Sequence, residues 1–308
     1  MTNGTRARLP PFLILAIAMS LGASVIRAQQ GGPPDHPVVT VFGRTYTPAS
    51  ILTRNMGTPE DQTTAFTPHR VIANIYYVGT RTLSSFLIVT SQGNILIDTT
   101  YERNVPAIQK SIEQLGFKFA DTRIVLGNHA HGDHQEGDAV VQQLTNAQVI
   151  TMAEDVPALQ AMKPGGKEHP IDRVVHDGDS VTLGDTTLVA HLTAGHTRGA
   201  TTWTTRAQDG GRSYDVVFFS SLRAPNVITP DVQTEFDRTF ALVRQLPCDV
   251  PLGDHPAQYG MDEKFARLKP GAANPFVDKA NCLREATIQE AIYRAVLAEQ
   301  QKEPRITR

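Results

Sequence analysis

The sequence predicts an α/β protein in which two β-sheets pack face to face beneath outer helices. Three observations lead there. Short β-branched or apolar runs fall into two groups, helical patterns follow each group, and one strand–helix–strand succession marks a βαβ unit. The chain has 308 residues, 40% hydrophobic and 19% charged, with 23 Gly, 20 Pro and two Cys. That composition excludes disordered, collagenous and disulfide-scaffold classes, and a chain of this length can bury a large core. Lys and Arg number 29 against 31 Asp and Glu, for a net charge of −2. With no basic excess to attract a phosphate backbone, nucleic acid is not an expected partner.

The first segment, residues 1–28, reads as a secretory signal peptide: Arg6 and Arg8 precede an uncharged run from Phe12 to Ile26, which ends near Ile26-Arg27-Ala28. The run is short for a membrane span, which needs roughly 18 or more apolar residues. An uncleaved N-terminal anchor is the alternative. The mature chain is then expected in the periplasm, with no membrane contact after cleavage and with a monomer favoured. Residues 29–68, rich in Gly, Pro and Thr, are expected to form an extended arm, leaving 69–308 as the main domain.

Along that domain, Val71–Val78, Leu83–Thr90 and Asn94–Asp98 read as strands, with Ser91-Gln92-Gly93-Asn94 as a hairpin connection. Val105–Leu115 has apolar residues at helical spacing and stops at Gly116, and Thr122–Leu126 is again a strand. Residues 138–145 and 151–162 read as helices, and Lys163-Pro164-Gly165-Gly166-Lys167 as a mobile loop. Strands follow at Ser180–Leu183, Thr186–Leu192, Ala200–Thr205 and Asp215–Ser220, then helices at 231–246 and 283–301. Cys248 and Cys282 are the only cysteines. In an oxidising compartment they are expected to pair, two buried thiols being the alternative, and closing that loop would stabilise the fold by about 4 kcal/mol.

The densest chemical signal follows the strand Thr122–Leu126, where the chain reads Asn128-His129-Ala130-His131-Gly132-Asp133-His134. Neutral imidazole and carboxylate suit zinc, and a strand-to-helix turn can fan them into one concave site. His129 and His131 can share a face of an extended segment, with Asp133 and His134 turned toward a second ion. Among the other histidines, His196 lies between glycines after a strand and His255 follows Val250-Pro251-Leu252 at a strand end. His36, His69, His169, His176 and His191 are expected to be structural or solvated.

The motifs HAHGDH at 129–134, TAGHTRGATTW at 193–203 and GDHP at 253–256 resemble the metallo-β-lactamase superfamily. Residues 172–203, SSLRAP at 220–225 and the cysteine pair look like subclass B3 metallo-β-lactamases. The resemblance implies a four-layer αβ/βα sandwich with two zinc ions, one held by His129, His131 and His196 and the other by Asp133, His134 and His255. It further implies a β-lactam hydrolase that opens the lactam ring with a metal-bound hydroxide oriented by the catalytic Asp133. Ser221 and Arg223 are the expected contacts for the substrate carboxylate. Related lactone and thioester hydrolases place a metal-bridging Asp after the strand matching Val216–Phe219, where this chain has Ser220-Ser221, which favours the lactam reading over theirs. Asn128, Glu136 and Arg223 depart from the subclass pattern, which has Ser or Thr, Gly and Ser there, and Val227 lies where some members have Tyr.

Overall fold

Period-two burial along the strands builds the architecture. Ile95 and Ile97 point to one face of their strand and Leu96 to the other; Ile124 and Leu126 oppose Val125; Val216 and Phe218 oppose Val217 and Phe219. Each strand is therefore apolar on both faces, which requires a covering layer on each side. In the computed structural model, which describes Met1 and residues 33–302, these strands form two sheets. The signal segment expected at 1–28 lies, apart from Met1, outside the described residues.

The first sheet runs in sequence order through β3 (His69–Ile72), β4 (Ile75–Tyr77), β5 (Phe86–Thr90), β6 (Gly93–Ile97), β7 (Thr122–Leu126), β8 (Gln148–Met152) and β9 (Arg173–Val175). Pairing is antiparallel from β3 to β6 and parallel from β6 to β9. The second comprises β10 (Ser180–Leu183), β11 (Thr186–Leu192), β12 (Thr201–Asp209), β13 (Arg212–Phe219) and β14 (Val250–Gly253), with only β13–β14 parallel. Their inner faces share one core, in which Phe86, Ile97 and Leu126 of the first sheet meet Trp203, Phe218 and Leu252 of the second.

Helices cover the outer faces. Before the sheets comes α1 (Pro48–Met56); α2 (Val105–Gln114), α3 (Gly132–Gln135), α4 (Asp138–Thr145) and α5 (Val156–Ala161) interrupt the first sheet. Ile108 and Ile112 of α2 and Val141 of α4 pack on Leu96 and Val125. With α6 (Pro230–Val243) and α9 (Arg284–Lys302) the second sheet gains its cover, Phe236 and Phe240 of α6 and Tyr293 of α9 lying over Val217, while α7 (Pro256–Tyr259) and α8 (Met261–Arg267) add Tyr259 and Met261 to the inner core. The result is the four-layer αβ/βα sandwich that the sequence predicted.

The segment expected as an extended arm is instead structured. A hairpin of β1 (Val39–Val41) and β2 (Arg44–Tyr46) turns through Phe42 and Gly43, both at positive φ, and leads into α1. Val39, Val41 and Tyr46 of the hairpin and Ile51 of α1 pack with Ile288, Ile292 and Val296 of α9, so a separate, smaller hydrophobic cluster holds the segment. A further correction concerns 151–162, where Thr151 and Met152 complete β8 and only Val156–Ala161 is α-helical. Cys248 and Cys282 are joined by a disulfide, as expected.

Candidate metal centre

Strand ends converge at one edge of the sandwich. Residues 129–134 leave β7, His196 follows β11, Ser220 and Ser221 follow β13, and Asp254 and His255 follow β14. Binding groups commonly gather at such ends because the loops there can turn side chains outward from a rigid sheet. Gly195 allows the bend before His196: its φ is +131°, and a Cβ there would lie 2.8 Å from the Phe236 ring.

The six expected ligands come together in two adjoining groups, His129/His131/His196 and Asp133/His134/His255, each with potential ligand atoms within 4.8 Å of one another. The first three imidazoles are mutually edge-on, with ring centroids 4.7–4.8 Å apart. In the second group, Asp133 Oδ2 lies 3.3 Å from His134 Nε2 and 3.9 Å from His255 Nε2.

Outer partners fix the rings. His134 Nδ1 donates to Asp98 Oδ2 at 3.0 Å, His196 Nδ1 to the Arg223 carbonyl at 2.8 Å, and His255 Nδ1 to the Thr82 carbonyl at 2.9 Å. Each bond leaves Nε2 to face the site, the arrangement that orients a metal-ligating imidazole. His134 Nε2 is buried without a hydrogen-bond partner. A donor set of imidazoles and a carboxylate fits zinc by its chemistry.

The electrostatics agree. Burial, followed by the neighbouring His134, holds His129 well below the usual histidine range, and burial with His131 does the same to His196. Both are therefore neutral near pH 7, the form that ligates metal. Burial alone would raise Asp133, but the attraction of the neighbouring His134 pulls its carboxyl well below the ordinary range. Burial would lower His134, yet Asp133 and Asp98 override it and push it well above its ordinary value. Two carboxylates that hold a proton on one imidazole would also favour a cation in its place. Burial raises Asp98 to about 6 despite its bond to His134.

The expected substrate contacts lie beside these groups. Ser221 is buried at the end of β13, and Arg223 is half-buried, its pKa lowered by burial against the attraction of Asp133 and Asp254. Glu136 accepts from the Glu102 backbone N–H at 3.1 Å, and Val227 is exposed.

The remaining histidines stay out of both groups. His36 Nδ1 lies 2.7 Å from Glu299, His69 stacks between Tyr77 and Phe276, and His191 Nε2 lies 2.8 Å from Thr204 Oγ1. His176 is exposed. His169, which follows the expected mobile loop, is buried with Nε2 3.2 Å from Asp138 Oδ2.

Sequence reasoning missed three buried acids. Asp254 Oδ2 lies 3.4 Å from His129 Nδ1, Asp98 holds His134, and Asp155 binds the backbone of two ligand loops. Asp98 and Asp254 carry a faint signal, each being an acid at the end of an apolar strand. Asp155 carries none.

The family model of the metallo-beta-lactamase superfamily matches residues 78–210. The FEZ-1 metallo-beta-lactamase from Legionella gormanii is 37% identical, with a TM-score of 0.75 over 78% of this chain and 98% of that one. BJP-1, a subclass B3 metallo-beta-lactamase of Bradyrhizobium japonicum, is 38% identical, with a TM-score of 0.73 over 79% of this chain and 97% of that one. LRA-12, a class B3 di-zinc metallo-beta-lactamase from an Alaskan soil metagenome, is 28% identical, with a TM-score of 0.69 over 78% and 97%. The chain belongs to the metallo-β-lactamase superfamily. Its likeness to these enzymes supports a hydrolase of that superfamily, and its His/Asp groups are suited to metal.

Proposed function

We propose that the protein is an exported, zinc-dependent β-lactam hydrolase of the B3 kind, whose activity would confer resistance to β-lactam antibiotics. The observation that carries the reading is the convergence of six ligand-type side chains into two adjoining groups at one sandwich edge. Similarity to named metallo-β-lactamases over nearly their whole length supports the same reading.

His129, His131 and His196 would hold one zinc, and Asp133, His134 and His255 a second. Zinc bound there would polarise a carbonyl and lower the pKa of water from 15.7 to about 7. Asp133 stays ionised and is placed to accept a hydrogen bond from the attacking water, fixing its direction. Asp98 and the carbonyls of Arg223 and Thr82 keep the imidazoles aligned. Arg223, with Ser221 beside it, supplies a cation for the substrate carboxylate.

A substrate panel tests the reading: a penicillin, a cephalosporin, a carbapenem, an acyl-homoserine lactone and a glutathione thioester. Rapid hydrolysis of at least one lactam, with slow turnover of the lactone and thioester, is the expected result. Turnover confined to the lactone or thioester would reassign the substrate class.

A further inference from the structure

Asp98, Thr82 and the Arg223 carbonyl each steady one imidazole ring. Asp155 does something different: it touches no ring and binds the backbones of two separate ligand loops. It sits in the turn Ala153–Asp155 after β8 and is almost wholly buried. Its Oδ2 accepts from the Ala130 N–H at 2.8 Å and from the Thr197 hydroxyl at 2.9 Å, and its Oδ1 accepts from the Gly199 N–H at 2.7 Å. Ala130 lies between His129 and His131, and Thr197 follows His196. Gly199 is pressed against this carboxylate, since a Cβ there would lie 2.4 Å from the Asp155 N and 2.7 Å from its Cγ.

We propose that Asp155 is a positioning residue that sets the spacing of His129 and His131 against His196, and so tunes the metal affinity of that group selectively. The carboxylate offers acceptors in two directions and satisfies donors from both loops. An amide offers an acceptor on one side only. In Asp155→Asn its NH2 must face the N–H of one loop, which leaves a buried donor unpaired and lets the loops part. The second group is held differently: Asp98 fixes His134 and the Thr82 carbonyl fixes His255, while Asp155 reaches the 129–134 segment only at Ala130, between the two imidazoles of the first group. The inference rests on the reading that the two groups take metal, but not on the identity of the substrate.

The test measures zinc affinity by competition with a chromophoric chelator in two backgrounds, His255→Ala, which weakens the second group, and His196→Ala, which weakens the first. Asp155→Asn should lower zinc affinity about 10-fold to 100-fold in the His255→Ala protein, the range for loss of an outer-shell partner. It should change affinity by less than about 3-fold in the His196→Ala protein. Equal losses in both backgrounds, or none in the first, would overturn the proposal. Thr197→Val removes a single bond of the carboxylate and carries the test if Asp155→Asn does not fold: its loss must again be confined to the His255→Ala background. Absence of zinc binding before Asp155 is altered would overturn the metal reading as well. Intact zinc binding without β-lactam hydrolysis would overturn only the substrate reading.

Discussion

His191 and His196 stand close in sequence, yet their nitrogens face different things. His191 reaches across to Thr204 at 2.8 Å, a contact worth about 1 kcal/mol, whereas His196 is anchored at Nδ1 and presents Nε2 to two other imidazoles. His196→Ala should therefore lose nearly all lactam hydrolysis, and His191→Ala should retain most of its specific activity; steady-state rates on folded protein check both, and an inactive but folded His191→Ala would refute the sorting. At Arg223 the two ends of the residue separate cleanly. Its carbonyl holds His196, and its side chain, drawn toward Asp133 and Asp254, borders the site. A charge-assisted bond to a carboxylate is worth roughly 1.5–3 kcal/mol, so Arg223→Ala should raise KM about 10-fold to 100-fold with kcat less affected and zinc content unchanged. An unchanged KM for a carboxylate-bearing lactam would remove the side chain from substrate binding. Arg223→Lys should recover only part, because an ammonium lacks the planar fork.

At the scale of elements, one buried pair ties the 163–169 segment to the helices behind the site. His169 Nδ1 faces the Pro170 carbonyl at 3.0 Å, and Nε2 faces the Gln135 carbonyl and Asp138, each at 3.2 Å. Both nitrogens thus meet acceptors, and although burial opposes the charge, Asp138 raises the His169 pKa above its ordinary value of 6.5. A raised folded pKa gives stability that is complete below the unfolded value and fades as pH climbs through the folded one. His169→Gln should therefore be less stable than the parent by about 3 kcal/mol near pH 5.5, with the gap narrowing at alkaline pH; denaturant melts across that range measure it, and a pH-independent gap would show that the histidine is neutral. Sequence recovered most elements because period-two burial and Gly punctuation were plain, as in the β5–β6 hairpin through Ser91-Gln92-Gly93-Asn94. It lost β8 because Val149-Ile150 is short and buried on both faces, where strand and helix patterns coincide. The first hairpin has strands of only three residues among prolines. For α1 the cues were present and unread: Thr47 caps the helix, Pro48 opens it, and Ser50 closes a capping box.

Across the whole molecule, the candidate ligands were legible because a strand-to-turn segment placed three His and one Asp within residues 129–134. Their support was not, because Asp98, Asp155 and Asp254 reach the site only through contacts between segments far apart in sequence. The same long-range construction links the candidate metal groups to the fold. Six side chains from three separate segments meet at one edge, so binding a metal there should stabilise the native state as well as enable turnover. The most direct measurement follows hydrolysis of the best lactam from the panel, with thermal stability, through chelation and zinc restoration, metal content being determined at each stage. Loss of turnover and a lowered Tm on chelation, with both recovered at about two zinc per chain, is the predicted result; full turnover by protein shown to be metal-free would contradict the account.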